Sequence, residues 1–349
     1  MALFRMRRAA AVAAVAVLSL SACSTGSAGG EADAGTGSSA AADAFPVTIE
    51  HAYGETTIES APERVAAVAW ANAETALALG VVPVGMPTIE YGGNEQGTTP
   101  WIDDALEELG APIGSEGAPV QYSEADGIAY DDVAATNPDV ILAAFSGLTQ
   151  EDYDKLSKIA PVVAYPEAQW GTSWQDTAAL TGKALGLSDK ADELIAETEQ
   201  SIQDAAADHP ELEGKSFIYG NLAPAGSSIY TALDNRPKFL TELGMVQAPI
   251  VDENAPDGEF YYSWANENAN QLDSDVFVTW VQDDEAAAAL SSDPLLGQIP
   301  AVKNGGLVAD SNAERIFSVS AINVLSIPYA LDNVVPMIAE AAAAADAGK

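Results

Sequence analysis

Ser173-Trp174-Gln175-Asp176-Thr177-Ala178-Ala179-Leu180 and, past Gly186, Ser188-Asp189-Lys190-Ala191-Asp192-Glu193-Leu194-Ile195 open a stretch that runs on to His209. Ser173 and Asp176 stand in the S-x-x-D relation of a helix start. Gly186 breaks that first segment, and Ser188 is placed to cap the next. Ala191, Leu194, Ile195, Thr198, Ile202 and Ala205 then recur on one helical face, with Asp192, Glu193, Glu197, Glu199 and Asp204 on the other. Pro210 and Gly214 close the run. The spacing predicts two consecutive helical segments ending in one long stiff rod that lies along a surface.

The sequence repeats in outline on either side of this rod. Ahead of it, Asp131 precedes by eight positions Asp139, which opens the apolar run Val140-Ile141-Leu142-Ala143-Ala144-Phe145. Behind it, Glu267 stands in the same relation to Asp275 and to Val276-Phe277-Val278-Thr279-Trp280-Val281. Continuous apolar runs of this length read as buried parallel strands. Each leads on to a second signal, Ile159-Ala160-Pro161-Val162-Val163 in the first copy and Ile299-Pro300-Ala301-Val302 in the second. Two similar α/β lobes joined by one helix is the economical reading.

Residues 1–22 carry Arg5, Arg7 and Arg8, then an apolar run from Ala9 to Leu20 that falls short of a membrane span, as in a secretory signal. Leu20-Ser21-Ala22-Cys23 resembles the lipobox of bacterial lipoproteins, which implies lipidation of Cys23, the only cysteine. Residues 23–44, with no large apolar side chain before Ala44, read as a flexible tether. The first lobe is expected over 45–171, the linking helical segment over 172–210 and the second lobe over 211–349. A net charge of −38 denies the chain the basic footprint that nucleic acid requires, and equally a charge-driven hold on an anionic membrane.

Within the first lobe, Phe45 to Glu59 reads as a hairpin about Tyr53-Gly54-Glu55. Ala61 to Trp70 reads as a buried strand feeding a helix over Ala73 to Leu79, and the strands expected next lie over Gly80 to Met86 and Ala118 to Tyr122. In the second lobe, strands are expected at Ser216 to Leu222, Ser228 to Thr231 and Leu307 to Ala309, a loop over Asp252 to Tyr262, and a closing helix over Asn323 to Ala345. Ligands of α/β sheets sit beyond the carboxyl ends of the strands, which singles out Trp70 and Asn72.

From Phe45 to the C-terminus the chain resembles the substrate-binding lipoproteins of bacterial ABC importers for ferric siderophores, cobalamin and haem. The resemblance rests on Ala61-Pro62-Glu63-Arg64-Val65, Leu79-Gly80-Val81, Pro138-Asp139-Val140-Ile141, the Ile159 to Val163 signal, Glu267 with Leu272-Asp273-Ser274-Asp275-Val276, and Pro300-Ala301-Val302-Lys303. It implies a fold of two Rossmann-like α/β lobes joined by one long α-helix, a monomer with a ligand cleft between the lobes, and no catalysis. It also implies that Asp131 and Glu267 meet arginines of a dimeric ABC permease, although the family more often has Glu at the first position and Ser where this chain has Ala265.

The resemblance places aromatics and arginines in the cleft, with Arg236 at the family's second-lobe arginine. Besides it, the chain after the signal has only Arg64, at the wrong end of its strand, and Arg315. That scarcity argues against a clamp for a highly anionic tris-catecholate and favours a ferric hydroxamate held by aromatic faces, the iron remaining with its chelator. The candidate ligand-binding residues are Trp70, Asn72, Tyr91, Trp101, Arg236, Tyr262, Trp264 and Arg315, with no cofactor or resident metal. Cobalamin or haem is the alternative ligand. Direct Fe³⁺ capture by Tyr261 and Tyr262 is opposed by their adjacency, since neighbours in a strand point to opposite faces. A secreted hydrolase is the competing enzyme reading. The chain has no G-x-S-x-G, S-x-x-K or H-E-x-x-H motif, and only His51 and His209 as histidines.

Overall fold

A computed structural model describes residues 44–347, so the signal segment, Cys23 and the tether up to residue 43 lie outside the described residues. The chain opens with an antiparallel hairpin of β1 (Val47–His51) and β2 (Gly54–Ile58). The first lobe is built on β3 (Val65–Ala67), β4 (Gly85–Pro87), β5 (Val120–Tyr122), β6 (Val140–Ala143) and β7 (Val162–Ala164). These strands are all parallel, in the order β5-β4-β3-β6-β7. The order reverses between β3 and β6, as in one half of a doubly wound sheet, and this switch point leaves a crevice beyond the carboxyl ends of those two strands. Strands β3 and β6 are shorter than their apolar runs because those runs continue into the turns that enter the crevice, whereas β4 and β5 begin later than expected, at Gly85 and Val120.

The second lobe contains β8 (Ser216–Asn221), β9 (Ser227–Tyr230), β10 (Val246–Gln247), β11 (Tyr261–Trp264), β12 (Val276–Trp280) and β13 (Leu307–Asp310). Its sheet runs β11-β9-β8-β12-β13 with β10 added beside the start of β8. Strands β8, β10, β12 and β13 are mutually parallel; β9 and β11 are antiparallel additions at one edge. Both sheets are covered on both faces, and the period of two distributes their side chains accordingly. Val65, Ala67, Val140 and Leu142 enter one core of the first lobe, and Ala66, Ile141 and Ala143 the other. Phe217, Tyr219, Val276 and Val278 enter one core of the second lobe, and Ile218 and Phe277 the other.

The repeated aspartates do the same task in each lobe. Asp139 accepts hydrogen bonds from the backbone N–H groups of Glu63 (2.8 Å) and Arg64 (3.0 Å), at the start of β3. Asp275 accepts from the N–H of Ser216 (2.9 Å) and from its hydroxyl (2.8 Å), at the start of β8. Each carboxylate satisfies N–H groups at the mouth of the neighbouring central strand and so pins the register of the pair. Beyond this point the copies diverge. Val162 to Ala164 is a strand, whereas Pro300–Asn304 is a helix and β13 follows it.

Helices Trp174–Leu185 and Ser188–Asp208 form the link. The Ser173 hydroxyl accepts from the N–H of Asp176, and Gly186 ends the first helix in the left-handed region, φ 69°. Ser188 is the first helical residue and not the cap, a position taken by Leu187 with no side-chain bond. The two helices run in opposite directions. Leu185, Leu187 and Ala191 are in the first lobe's core, while Trp174, Ala178 and Ile202 are in the second's. The predicted apolar face of the longer helix is its inward face, and Asp192, Glu193, Glu197, Glu199 and Asp204 are exposed. At 21 residues it is about 31 Å long.

Three further segments depart from expectation. Pro249–Asn254 is helical, and Tyr261 and Tyr262 belong to β11, so the expected Asp252 to Tyr262 loop is confined to residues 255–260. The closing helix is two helices, Ser326–Asn333 and Val335–Ala347, broken where Val334 leads to Pro336. A helix over Ala313–Ser320 precedes them and places Phe317 in the first lobe's core. No helix among the described residues is long and apolar enough to cross a membrane.

Candidate functional site

The turn after β3 is the most strained backbone of the first lobe. Ala69 (φ 58°) and Ala71 (φ 65°) both occupy the left-handed region, which costs an L-residue about 1–2 kcal/mol each. Glu124 accepts the Ala69 N–H at 2.9 Å. The fully buried Asn72 amide donates to the carbonyls of Val68 (2.8 Å), Trp70 (3.0 Å) and Phe145 (2.9 Å), and accepts the Phe145 N–H at 3.2 Å. Asn72 therefore welds the turns that follow β3 and β6. The strain presents Trp70 to the space between the lobes, where it stays 41% exposed.

Around Trp70 an aromatic wall assembles. Its ring lies 5.6 Å from Trp170 and 5.7 Å from Phe317, and Phe145 stands 5.4 Å from Trp170. Trp170, itself at φ 58°, covers Gly147 so closely that a Cβ there would sit 2.3 Å from the indole Nε1. Tyr91, 47% exposed, enters from the loop after β4. Gly92 at φ 79° lets this loop meet the Ala313–Ser320 helix, because a Cβ would fall 2.5 Å from Phe317 Cβ.

The opposite wall comes from the second lobe. Tyr230, Phe260, Tyr261 and Trp280 face the same cavity, whose volume is about 520 Å³. Arg236 stacks over Tyr230, its guanidinium 3.5 Å from the ring centroid. Its Nε (2.8 Å) and Nη2 (2.6 Å) both donate to Asp234. Burial opposes the charge, but the Asp234 carboxylate more than offsets it and holds the arginine pKa above its ordinary value. Beside the cavity the second lobe is tied to the start of the linking segment, Asn235 Nδ2 donating to Thr172 O at 2.8 Å and Lys238 Nζ to Gly171 O at 2.8 Å.

Three of the eight candidate ligand residues, Trp70, Tyr91 and Arg236, line this cavity. The other five stand away from it. Asn72 is buried beneath the wall it positions. Trp101 packs in the first lobe's core against Phe317 and Tyr329, because its helix Pro100–Glu108 turns that face inward. Tyr262 and Trp264 lie on the reverse face of the second sheet. Tyr261 and Tyr262 do point to opposite faces, and only the former reaches the cavity. Arg315 is tied to Asp310 through Nε (3.0 Å) and Nη2 (2.6 Å), also outside. Phe145, Trp170, Tyr230 and Trp280 were not singled out by sequence; Phe145 follows β6 and Trp280 ends β12, so the rule that selected Trp70 applies to those two, whereas Tyr230 ends the antiparallel β9 and Trp170 lies six residues beyond β7.

Elsewhere, Asp131 and Glu267 are exposed in the first turns of the Tyr130–Ala135 helix and of the 3₁₀ turn Asn266–Gln271. His51 is buried within the hairpin, its Nε2 2.9 Å from the Thr56 hydroxyl, with its pKa lowered by burial. No group of three or more His, Cys, Asp or Glu side chains able to hold a metal occurs among the described residues.

Comparison with known proteins fits this geometry. Residues 65–313 match the family model described as periplasmic binding protein. The chain belongs to the periplasmic binding protein family. Among solved structures, Streptococcus pneumoniae PiaA in complex with ferrichrome superposes with a TM-score of 0.79 at 37% identity, covering 85% of this chain and 99% of that one. Among curated sequences, the Fe(3+)-citrate-binding protein of Bacillus subtilis is 23% identical over 78% of this chain and 79% of its own length. The ferric enterobactin-binding periplasmic protein of Escherichia coli is 25% identical over 84% and 92%. This periplasmic binding protein thus shares its architecture with relatives named for binding iron chelates.

Proposed function

We propose that this protein captures a ferric siderophore of the hydroxamate type between its lobes and delivers it to an ABC permease. The observation that carries the reading is a cavity walled by aromatic rings in which the one cationic side chain is already neutralised. A tris-hydroxamate chelate of Fe³⁺ is uncharged in its coordination shell and asks for apolar faces with a few hydrogen bonds. A tris-catecholate is strongly anionic and asks for unpaired arginines. The likeness to a protein solved with ferrichrome supports the first. Affinity in the micromolar to nanomolar range corresponds to about −8 to −12 kcal/mol, within reach of desolvated aromatic contacts.

Three of the six tryptophans, Trp70, Trp170 and Trp280, line the cavity, so binding should quench fluorescence. Titration with ferrichrome and ferrioxamine B should give saturable quenching, and ferric enterobactin, cyanocobalamin and haem should give weaker quenching or none. If no ferric chelate quenches saturably, siderophore capture is refuted; preference for cyanocobalamin or haem would move the ligand class.

Delivery is read from Asp131 and Glu267, exposed acids in equivalent places of the two lobes and suited to arginines on a two-fold permease. Anchoring is read from Cys23, with two or more acyl chains for stable attachment. Charge reversal at both positions (Asp131→Lys with Glu267→Lys) should leave chelate affinity unchanged and abolish uptake by cells. Retained uptake would remove these acids from docking.

A further inference from the structure

A second chamber of about 560 Å³ opens off the ligand cavity and shares Tyr91, Asn221 and Trp280 with it. Its walls are mostly apolar and, apart from Tyr91, belong to the second lobe. Leu222, Val281 and Leu290 form the base, each less than 9% exposed, and Ala286 and Ala289 on the helix Asp284–Ser292 leave the room that larger residues would fill. Asp293 is its single charged lining residue, and Asp293 Oδ1 already accepts from the N–H groups of Leu295 (2.8 Å) and Leu296 (2.9 Å). Its uncharged polar lining side chains are Asn221, Gln282 and Ser311, and the Ser311 hydroxyl already donates to Asp284 Oδ1 at 2.5 Å, so a small molecule held there by itself would find few free polar groups to orient it. An uncharged aliphatic extension of a ligand seated next door needs none, since the shared doorway fixes its position.

Resting on the siderophore reading, we infer that the chamber receives an aliphatic arm, acyl or alkyl, of the chelate bound between the lobes, and that this protein selects tailed over tailless hydroxamates. The coordination shell sits against Trp70, Trp170 and Tyr230; the arm passes Tyr91 and Trp280 and buries its methylenes against the alanines. A carboxylate-ended arm is disfavoured by the neighbouring Asp293 and by the absence of any lining cation.

The test uses two probes that differ only in arm length: ferrioxamine B acylated on its terminal amine with an acetyl or with an octanoyl group. Calorimetry should find one chelate per protein, with the octanoyl form bound about tenfold or more tighter, because each buried methylene adds to the affinity. Ala289→Trp, which fills the chamber, should abolish that preference and leave the acetyl form's affinity unchanged. Ala288→Trp, on the same helix but outside the lining, should preserve it. Equal affinity for the two probes, equal weakening of both by Ala289→Trp, or two chelates per protein would each overturn the inference while leaving siderophore capture standing. Failure of both probes and of ferrichrome to bind would take capture down as well.

Discussion

The guanidinium of Arg236 lies between an aromatic face and a carboxylate, and each neighbour constrains it differently. Tyr230 fixes its plane, and Asp234 both neutralises it and caps the helix Asn235–Glu242 by accepting the Arg236 N–H. Removing the carboxylate leaves a buried, uncompensated charge, which costs about 3 kcal/mol or more. Asp234→Asn should therefore lower stability by roughly that amount in denaturant melts and turn the cavity cationic. Ferric enterobactin should gain affinity relative to ferrichrome; an unchanged ratio would mean that charge does not set the choice of chelate. Glu74 poses the opposite problem, since it is buried with no partner for Oε1 among the described residues, and burial raises its pKa from 4.5 to about 7. Between those values the folded state holds the proton that the unfolded chain releases. Glu74's contribution to stability is therefore most favourable at and below about pH 4.5, falls as pH rises, and is lower by about 3 kcal/mol beyond pH 7. Glu74→Gln removes the titration, so its stability relative to wild type should improve by up to about 3 kcal/mol between pH 4.5 and 8. A constant difference across that range would place the carboxyl in a wetter setting. Neither residue's state was legible in the sequence. Arg236 could be picked out as a cation after a strand, but a chain with so many acids gives no sign of which one a given arginine meets.

Helix spacing is legible because it is local. The Ser173 cap, the Gly186 break and the apolar face from Ala191 to Ala205 all follow from residues within a few turns of one another, and the structure holds them as read. That the two helices double back is not local, and its signature is a glycine the spacing passes over. Gly182 approaches Ala191 so closely that a Cβ would lie 2.4 Å from the alanine Cβ. Gly182→Ala should push the helices apart and cost about 1–3 kcal/mol, as overpacking does, although alanine is the better helix former. Ala191→Gly added to it should recover part of the loss in a double-mutant cycle, and simple additivity would show that the contact carries no strain. The paired Asp139 and Asp275 clamps were visible as a repeat eight residues downstream of an acid, but their partners, the starts of β3 and β8, lie more than 50 residues away. The same limit explains the site. Trp70 was reachable from the strand that ends at it, whereas Trp101 and Trp264, as aromatic as any other, turn into cores whose geometry only the packed sheets define.

At the scale of the molecule, the question is how far the lobes can part. The long linking helix packs on both cores, with Leu194 against each, so bending it would break contacts on both sides. A second tie runs the other way across the cleft. Phe317, carried by the second lobe's helix Ala313–Ser320, is buried in the first lobe's core, stacked at 6.4 Å on Trp101 with 11° between the rings and edge-on to Trp70. Opening the cleft widely would withdraw this ring and expose an aromatic surface, which favours a closure of small amplitude on binding. Phe317→Ala should cost about 3–5 kcal/mol by the cavity it leaves. Beyond that loss, it should free the lobes. In the absence of ligand the variant should show faster amide exchange in the turn around Trp70 and in the Pro100–Glu108 helix, and a larger radius of gyration by small-angle scattering than wild type. Ferrichrome should reverse both changes, because the aromatic walls then share a bound occupant. Wild type should contract too little on binding for scattering to resolve. A large contraction of the wild-type protein, or a Phe317→Ala variant as compact and as slowly exchanging as its parent, would show that the linking helix alone sets the spacing of the lobes.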